Sequence, residues 1–143
     1  RLTNYCGQWI HHCGWYPDWN IRLFDKRIMR WNNNGVHESL ESKSPYARKK
    51  INGLIHHYSF IDESHMQDKY DYYARLRAKE WISIGKKPPL IKRILGPEFR
   101  FFRTFILKRG FLDGHFGLLI AKNEYILKKK ELTYWKELVK TKE

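Results

Sequence analysis

An Asn-Asn-Asn-Gly turn at residues 32–35 most constrains the fold of this chain, because alternating apolar and polar residues lie on both sides of it. An Asn-Gly pair between such runs is typical of a β-hairpin. The run before the turn is Met29-Arg30-Trp31, and the run after it is Val36-His37-Glu38. A further alternating run, Asn20–Phe24, predicts an earlier short strand. The sequence therefore predicts short strands on both sides of residues 32–35.

The predicted hairpin would bring a set of chemically active side chains together. They are two carboxylates, a guanidinium and an imidazole: Asp18, Glu38, Arg22 and His37. Such groups at strand ends suit acid–base or metal-assisted chemistry. Successive strand residues point to opposite faces, so only one of His37 and Glu38 can face such a site. The ordinary alternatives are that Asp18 is a turn residue after Pro17 and that Arg22 forms a surface ion pair.

Four short motifs occur in order over most of the chain. They are WYPDWNIRLF at 15–24, VHE at 36–38, HHYSF at 56–60 and GFLDG at 110–114. With these motifs the chain resembles the C-terminal, acceptor-side part of a family 2 glycosyltransferase with the GT-A fold. The branch that it resembles adds sugars to the bacterial lipopolysaccharide core and related cell-envelope glycans.

The resemblance implies an inverting transfer of a sugar from a nucleotide donor to a lipid-linked or envelope glycan acceptor. It makes Asp18 the base that takes the proton of the acceptor hydroxyl, with Glu38 as the alternate base. It makes His37 a ligand of a divalent metal, Mg²⁺ or Mn²⁺, or a contact of the diphosphate. The residues implied to bind substrate, by stacking, diphosphate contacts or lining the site, are Trp15, Tyr16, Arg22, Trp31, His57 and Tyr58.

The sequence contains no Asp-x-Asp motif of the kind that binds the nucleotide donor in the resembling enzymes. The nearest pattern, Asp68-Lys69-Tyr70-Asp71, has the wrong spacing. We therefore expect a partial GT-A fold that lacks the nucleotide-binding half, which would lie upstream of Arg1. Such a piece alone should not catalyse transfer, and its exposed sheet edge should favour self-association.

The remaining pattern predicts an α+β chain in which short mixed strands and a hairpin are followed by amphipathic helices. Residues 51–60 indicate a strand, and a helix is predicted from Asp62 to Gly85, with Asp62 or Ser64 as its cap. The expected apolar stripe of that helix is Met66, Tyr70, Tyr73, Ala74 and Trp81. A last helix is expected to follow the turn at 110–114, with Asp113 as its cap.

The chain divides into three predicted segments. Residues 1–61 hold the acceptor-side strands and loops, residues 62–85 form a packing helix, and residues 86–143 form basic amphipathic helices. The third segment carries 15 basic and 6 acidic residues, a net of +9 out of the +13 of the whole chain. That charge implies an anionic partner: a membrane surface, a phosphorylated glycolipid or a nucleic acid.

The third segment has the composition of a membrane-interface helix, because Leu, Ile and Phe alternate with Lys and Arg over 90–109. We expect Lys128–Lys130 to meet anionic headgroups as well. The alternative function is a basic nucleic-acid-binding or membrane-docking module without catalysis. No nucleic-acid partner is predicted, because no recognition motif of that kind occurs. With the resemblance, we expect a peripheral protein on the inner, cytoplasmic face of the cytoplasmic membrane.

Overall fold

The computed structural model describes residues 1–32 and 39–141, and it has the α+β class that the sequence predicts. The strands are β1 (Leu2–Tyr5), β2 (Gln8–Ile10), β3 (Met29–Trp31), β4 (Leu40–Ser42) and β5 (His56–Phe60). The helices are α1 (Glu63–Ser83), α2 (Leu90–Ile94), α3 (Gly96–Phe102) and α4 (Gly114–Lys140). A π-helical turn (Arg103–Leu107) and a 3₁₀ turn (Gly110–Asp113) join α3 to α4.

Three of the strands form a mixed sheet in the order β2-β1-β5. β1 and β2 are an antiparallel hairpin whose two turn residues, Cys6 and Gly7, have positive φ angles of 50° and 88°. Positive φ at both positions is the type I′ geometry that matches strand twist in a two-residue hairpin. β5 is the part of the predicted strand at 51–60 that forms, and it pairs with β1 in parallel, so Thr3 lies beside His57.

A two-stranded hairpin that begins with the predicted run Met29–Trp31 is present, but its second strand is β4 (Leu40–Ser42) and not the predicted run at 36–38. β3 and β4 pair antiparallel, with Met29 opposite Ser42 and Trp31 opposite Leu40. The strand predicted at 36–38, which carries His37 and Glu38, lies outside the described residues.

The strand predicted at Asn20–Phe24 is wrong, because these residues form no strand. Leu23 is 81% exposed, so the alternating pattern has no buried face that would fix it in a sheet. The chain turns instead at Asp25, whose carboxylate accepts a hydrogen bond from the backbone N–H of Arg27 at 2.9 Å. Arg22 therefore lies on an irregular segment.

The predicted helix between Asp62 and Gly85 is confirmed as α1. The Asp62 side chain accepts a hydrogen bond from the backbone N–H of His65, and Gly85, with a φ of 64°, follows the end of the helix. The buried residues of α1 are Met66, Tyr70, Ala74 and Ala78. They recur every four residues, which leaves Tyr73 on the flank and 51% exposed.

One core joins the sheet to the two long helices, α1 and α4. Its buried residues are Tyr5, Ile10, Cys13, Met66, Tyr70, Ala74, Ile120 and Leu127. They come from all three segments predicted from the sequence, and the boundaries at 61 and 85 stay a prediction. Among the described residues, no helix is long and apolar enough to cross a bilayer.

Charged side chains hold α1 and α3 against α4. The Glu124 carboxylate accepts hydrogen bonds from the Tyr70 hydroxyl, at 3.2 Å, and from the Arg100 guanidinium. Glu131, which is 4% exposed, accepts a hydrogen bond from Lys128 and lies 3.9 Å from Arg100. Buried carboxylates are tolerated here because each faces a cationic partner.

The 3₁₀ turn lies against the first turn of α4 through two glycines. A Cβ added at Gly117 would lie 1.7 Å from the backbone oxygen of Gly110. No side chain fits at position 117 unless the turn moves.

The substitution Gly117→Ala tests this approach. We expect it to lower the free energy of unfolding by about 3 kcal/mol or more, because overpacking commonly costs about 1–3 kcal/mol and this clash involves backbone. Urea unfolding followed by circular dichroism measures the change. Gly96→Ala is the matched control, since its Cβ would meet only the flexible Lys128 side chain at 3.4 Å. Equal unfolding midpoints for the two variants would contradict the packing described.

Candidate functional site

Asp18 lies in a cleft of about 260 Å³ beside the start of β1. The cleft is lined by Thr3, Gly14, Trp15, Pro17 and Asp18. The Asp18 carboxylate accepts a hydrogen bond from the Arg1 Nε at 2.7 Å and remains 37% exposed at its side chain. A solvent-facing carboxylate at the rim of a cleft can reach a ligand hydroxyl.

His57 lies next to the cleft, because it pairs with the lining residue Thr3 across β1 and β5. Burial lowers the pKa of its imidazole from the usual 6.5, because it penalises the charged form. The positive charges of Arg1, Lys69 and Arg22 lower that pKa further, while the negative charge of Asp18 opposes them. The ring is therefore mainly neutral at pH 7 and can donate or accept a hydrogen bond with a hydroxyl or a phosphate.

The sheet and an aromatic stack position these groups. β1 and β5 place Thr3 next to His57, and the loop after β2 returns Asp18 to the start of β1. The Trp15 ring packs 5.5 Å from the Phe60 ring and forms an edge contact with Tyr5. Trp15 thus lines the cleft while it also fills the edge of the core, and its predicted stacking on a sugar stays a prediction.

Two of the predicted site residues, Asp18 and Arg22, lie close enough to His57 for their charges to act on the pKa of its imidazole. Tyr58 does not join them, because it is the strand neighbour of His57 and faces the other way. It is 72% exposed and forms an edge contact with the Trp9 ring at 5.3 Å. His57 is therefore the member of the His57-Tyr58 pair that faces Asp18.

Tyr16 and Trp31 lie outside the lining of the cleft. Tyr16 is 40% exposed and contacts the His11 ring, with centroids 5.9 Å apart. Trp31 belongs to the β3–β4 hairpin and contacts Phe24 at 6.1 Å. Their sugar-binding roles stay predictions, as do those of His37 and Glu38, which lie outside the described residues.

Asp113 has a different role from the expected helix cap. Its side chain makes no capping hydrogen bond to α4. Its carboxylate instead accepts hydrogen bonds from the backbone N–H groups of His11, at 3.2 Å, and His12, at 2.8 Å, and pairs with the His12 ring at 3.0 Å. The side chain of Asp113 is only 6% exposed. The motif at 110–114 therefore holds the segment that leads into the motif at 15–24.

Sequence reasoning missed this role because the two partners are about a hundred positions apart. The one available signal was an acidic residue inside a short glycine-flanked motif, and that pattern also fits an ordinary helix cap. Arg1 and Thr3 were missed for the same reason, since only the parallel pairing of β1 with β5 brings them to His57. Lys69 comes from α1, and its Nζ donates a hydrogen bond to the Ser59 carbonyl at 2.8 Å.

Cys13 lies beside Asp113 and is not a nucleophile. Burial, followed by the negative charge of Asp113, raises the pKa of its thiol to about 12. A thiol with such a pKa stays protonated at neutral pH and is inert. Its backbone N–H donates a hydrogen bond to the Lys108 carbonyl at 3.0 Å, so it adds a second link between the segment at 11–13 and the C-terminal part of the chain.

The described residues do not build a metal site. Within 1–32 and 39–141, no three His, Cys, Asp or Glu side chains converge as a ligand set.

Comparison with known proteins finds a relative that is named as a glycosyltransferase. An "Uncharacterized glycosyltransferase" from Rickettsia bellii (strain RML369-C) is 28% identical over 105 residues, which cover 68% of this chain and 36% of the relative. The chain is related to a glycosyltransferase. It spans about a third of that relative's length. No family model matches the chain, and no solved structure matches it.

The charges around His57 make a testable prediction. In Asp18→Asn the pKa of the His57 imidazole should fall below its wild-type value, because the one carboxylate that favours the protonated ring is lost. In Arg1→Gln the same pKa should rise. Nuclear magnetic resonance of the ring protons across pH measures both values. Shifts of the same sign in both variants would contradict the arrangement of charges.

The role of Asp113 predicts a loss of stability in Asp113→Asn. The amide keeps one acceptor but cannot serve both backbone N–H groups and the His12 ring as the carboxylate does. We expect a loss of about 2 kcal/mol in the free energy of unfolding, the size typical of hydrogen bonds to a charged group. Asp25→Asn, at an exposed turn, is the control and should unfold like the wild type. An Asp113→Asn protein as stable as the wild type would refute the assignment.

Proposed function

We propose that this chain is the acceptor side of an inverting family 2 glycosyltransferase with the GT-A fold, and that it belongs to the branch that builds the lipopolysaccharide core and related envelope glycans. One observation carries the proposal. The motif at 15–24 places Asp18 in a cleft, the motif at 56–60 places His57 within electrostatic range of that carboxylate, and the motif at 110–114 holds the backbone just before the first motif through Asp113. The relationship to a glycosyltransferase supports the same assignment.

The chemistry follows from a carboxylate at the rim of the cleft. The acceptor hydroxyl gives its proton to Asp18 as its oxygen forms a bond to the anomeric carbon of the donor sugar. The bond from that carbon to the nucleotide diphosphate breaks, and its electron pair leaves with the diphosphate. General-base assistance of this kind contributes about 10²–10⁴-fold to the rate.

Cationic side chains around the cleft suit the leaving group. Arg1, Arg22 and Lys69 act on His57 through their positive charges. The same charges would favour a diphosphate whose negative charge grows as the sugar leaves. The neutral His57 ring would accept or donate one hydrogen bond to the acceptor sugar and so orient its hydroxyl toward Asp18.

The donor site belongs to the whole enzyme in this proposal. A nucleotide-binding half with an Asp-x-Asp motif would supply the sugar donor and hold Mg²⁺ or Mn²⁺, with His37 as a further contact and Glu38 as the alternate base. The chain alone would then be inactive. The acceptor would be a lipid-linked or envelope glycan at the inner face of the cytoplasmic membrane.

The test is transfer by the full-length enzyme with Asp18→Asn. Radiolabelled nucleotide sugars and a membrane glycolipid extract serve as substrates, and kcat should fall at least about 100-fold with the melting temperature kept. Asp25→Asn is the matched control and should transfer at the wild-type rate. Glu38→Gln, measured in parallel, separates the two candidate bases. A near wild-type rate for Asp18→Asn would exclude Asp18 as the base.

A further inference from the structure

A continuous run of large apolar side chains stays on the surface from α2 to the 3₁₀ turn. We call it the apolar face, and its members are Leu90, Ile91, Ile94, Leu95, Phe99, Phe102, Ile106, Leu107, Phe111 and Leu112. Each is between 43 and 65% exposed. Single exposed apolar residues are ordinary, but a contiguous set of this size marks a surface that binds something apolar.

The apolar face is exposed because the opposite side of these elements packs on α4. Pro97 and Thr104 are buried there. Arg100 also points inward, to its carboxylate partners Glu124 and Glu131. In α3, Arg100 faces the protein, whereas Phe99 and Phe102 face solvent. These two phenylalanines therefore do not contribute to the core of the chain.

The same segment is strongly basic. Residues 86–112 carry eight Lys and Arg residues against the one acidic residue Glu98. Six of the eight are exposed, namely Lys86, Lys87, Lys92, Arg103, Lys108 and Arg109. The other two are occupied within the protein, since Arg93 lies over the Trp135 ring and Arg100 pairs with Glu124. Positive charge therefore surrounds the apolar face along its length.

The three lysines at 128–130 are not part of this surface in the way the sequence indicates. Lys128 pairs with Glu131 at 2.8 Å, and Lys130 pairs with Asp71 at 3.0 Å. Internal ion pairs engage these two lysines, whereas Lys129 remains exposed.

We propose that the apolar face is a docking surface for an anionic phospholipid bilayer. Apolar side chains would enter the boundary between headgroups and acyl chains, and the surrounding lysines and arginines would meet lipid phosphates. A second copy of the chain would bring the same positive charge to the interface and be repelled. A nucleic acid would match the charge but leave ten large apolar side chains in water.

The surface deepens the proposed function, because it would hold the cleft at the membrane where a lipid-linked acceptor lies. It does not rest on the identity of the base, so the two proposals fail separately. Asp18→Asn should bind vesicles like the wild type even when transfer is lost.

Vesicle flotation tests the surface. The protein is mixed at 0.15 M salt with vesicles of neutral phosphatidylcholine alone or with about 30% anionic phosphatidylglycerol, and the floating fraction is measured. We expect binding to the anionic vesicles and at least about tenfold weaker binding to the neutral ones. The double variant Phe99→Ser, Phe102→Ser should lose about tenfold or more, since each ring buries apolar area in the bilayer.

Matched controls make the result specific. Tyr72→Ser with Tyr73→Ser removes two exposed aromatic rings from α1, away from the apolar face, and should leave flotation unchanged. Lys86→Gln, Lys87→Gln and Lys92→Gln together should weaken binding about tenfold or more, at roughly the per-charge contribution expected near an anionic surface. Circular dichroism and thermal melting confirm that each variant folds.

Three outcomes would overturn the proposal. The first is no flotation with anionic vesicles. The second is equal loss in the α1 control and in the Phe99, Phe102 variant. The third is evidence that another partner covers the apolar face. Sedimentation could show a dimer that the Phe99, Phe102 variant abolishes. Alternatively, the protein could bind an oligonucleotide more tightly than vesicles, and the same variant could weaken that oligonucleotide binding.

Discussion

The Asp113 carboxylate is the interaction on which the rest of the arrangement depends. It is almost fully buried. It accepts hydrogen bonds from two backbone N–H groups and pairs with the His12 ring. Those N–H groups lie just past the end of β2, where the sheet no longer provides them with partners. By binding them, the turn before α4 fixes the loop that carries Asp18. The C-terminal helical part of the chain thus fixes the position of Asp18.

The cleft that results combines one carboxylate with several positive charges and one neutral imidazole. Arg1 binds Asp18 directly, and Lys69 and Arg22 act on His57 through the same positive field. This balance is suited to a reaction in which a hydroxyl loses a proton while an anionic group departs.

The sequence predicts elements well where one local rule dominates and poorly where partners are distant. The helix after Asp62 follows from a cap and a glycine, and the alternating run Met29–Trp31 predicts the first strand of the β3–β4 hairpin. The strand at Asn20–Phe24 fails because alternation alone does not provide a neighbouring strand. For the site, Asp18 and His57 are predicted from motifs, but the alternation of β5 excludes Tyr58 from the cleft. The role of Asp113 depends on a contact across a hundred residues, which no local pattern encodes.

The central claim is that Asp18 takes the proton of the acceptor hydroxyl. The most direct measurement is a crystal structure of the full-length enzyme with a nucleoside diphosphate and an acceptor glycan. We expect the reacting hydroxyl to lie within about 3 Å of an Asp18 carboxylate oxygen, and His57 to contact the same sugar. An acceptor bound with its hydroxyl against another carboxylate, and with Asp18 still held by Arg1 away from it, would contradict the account.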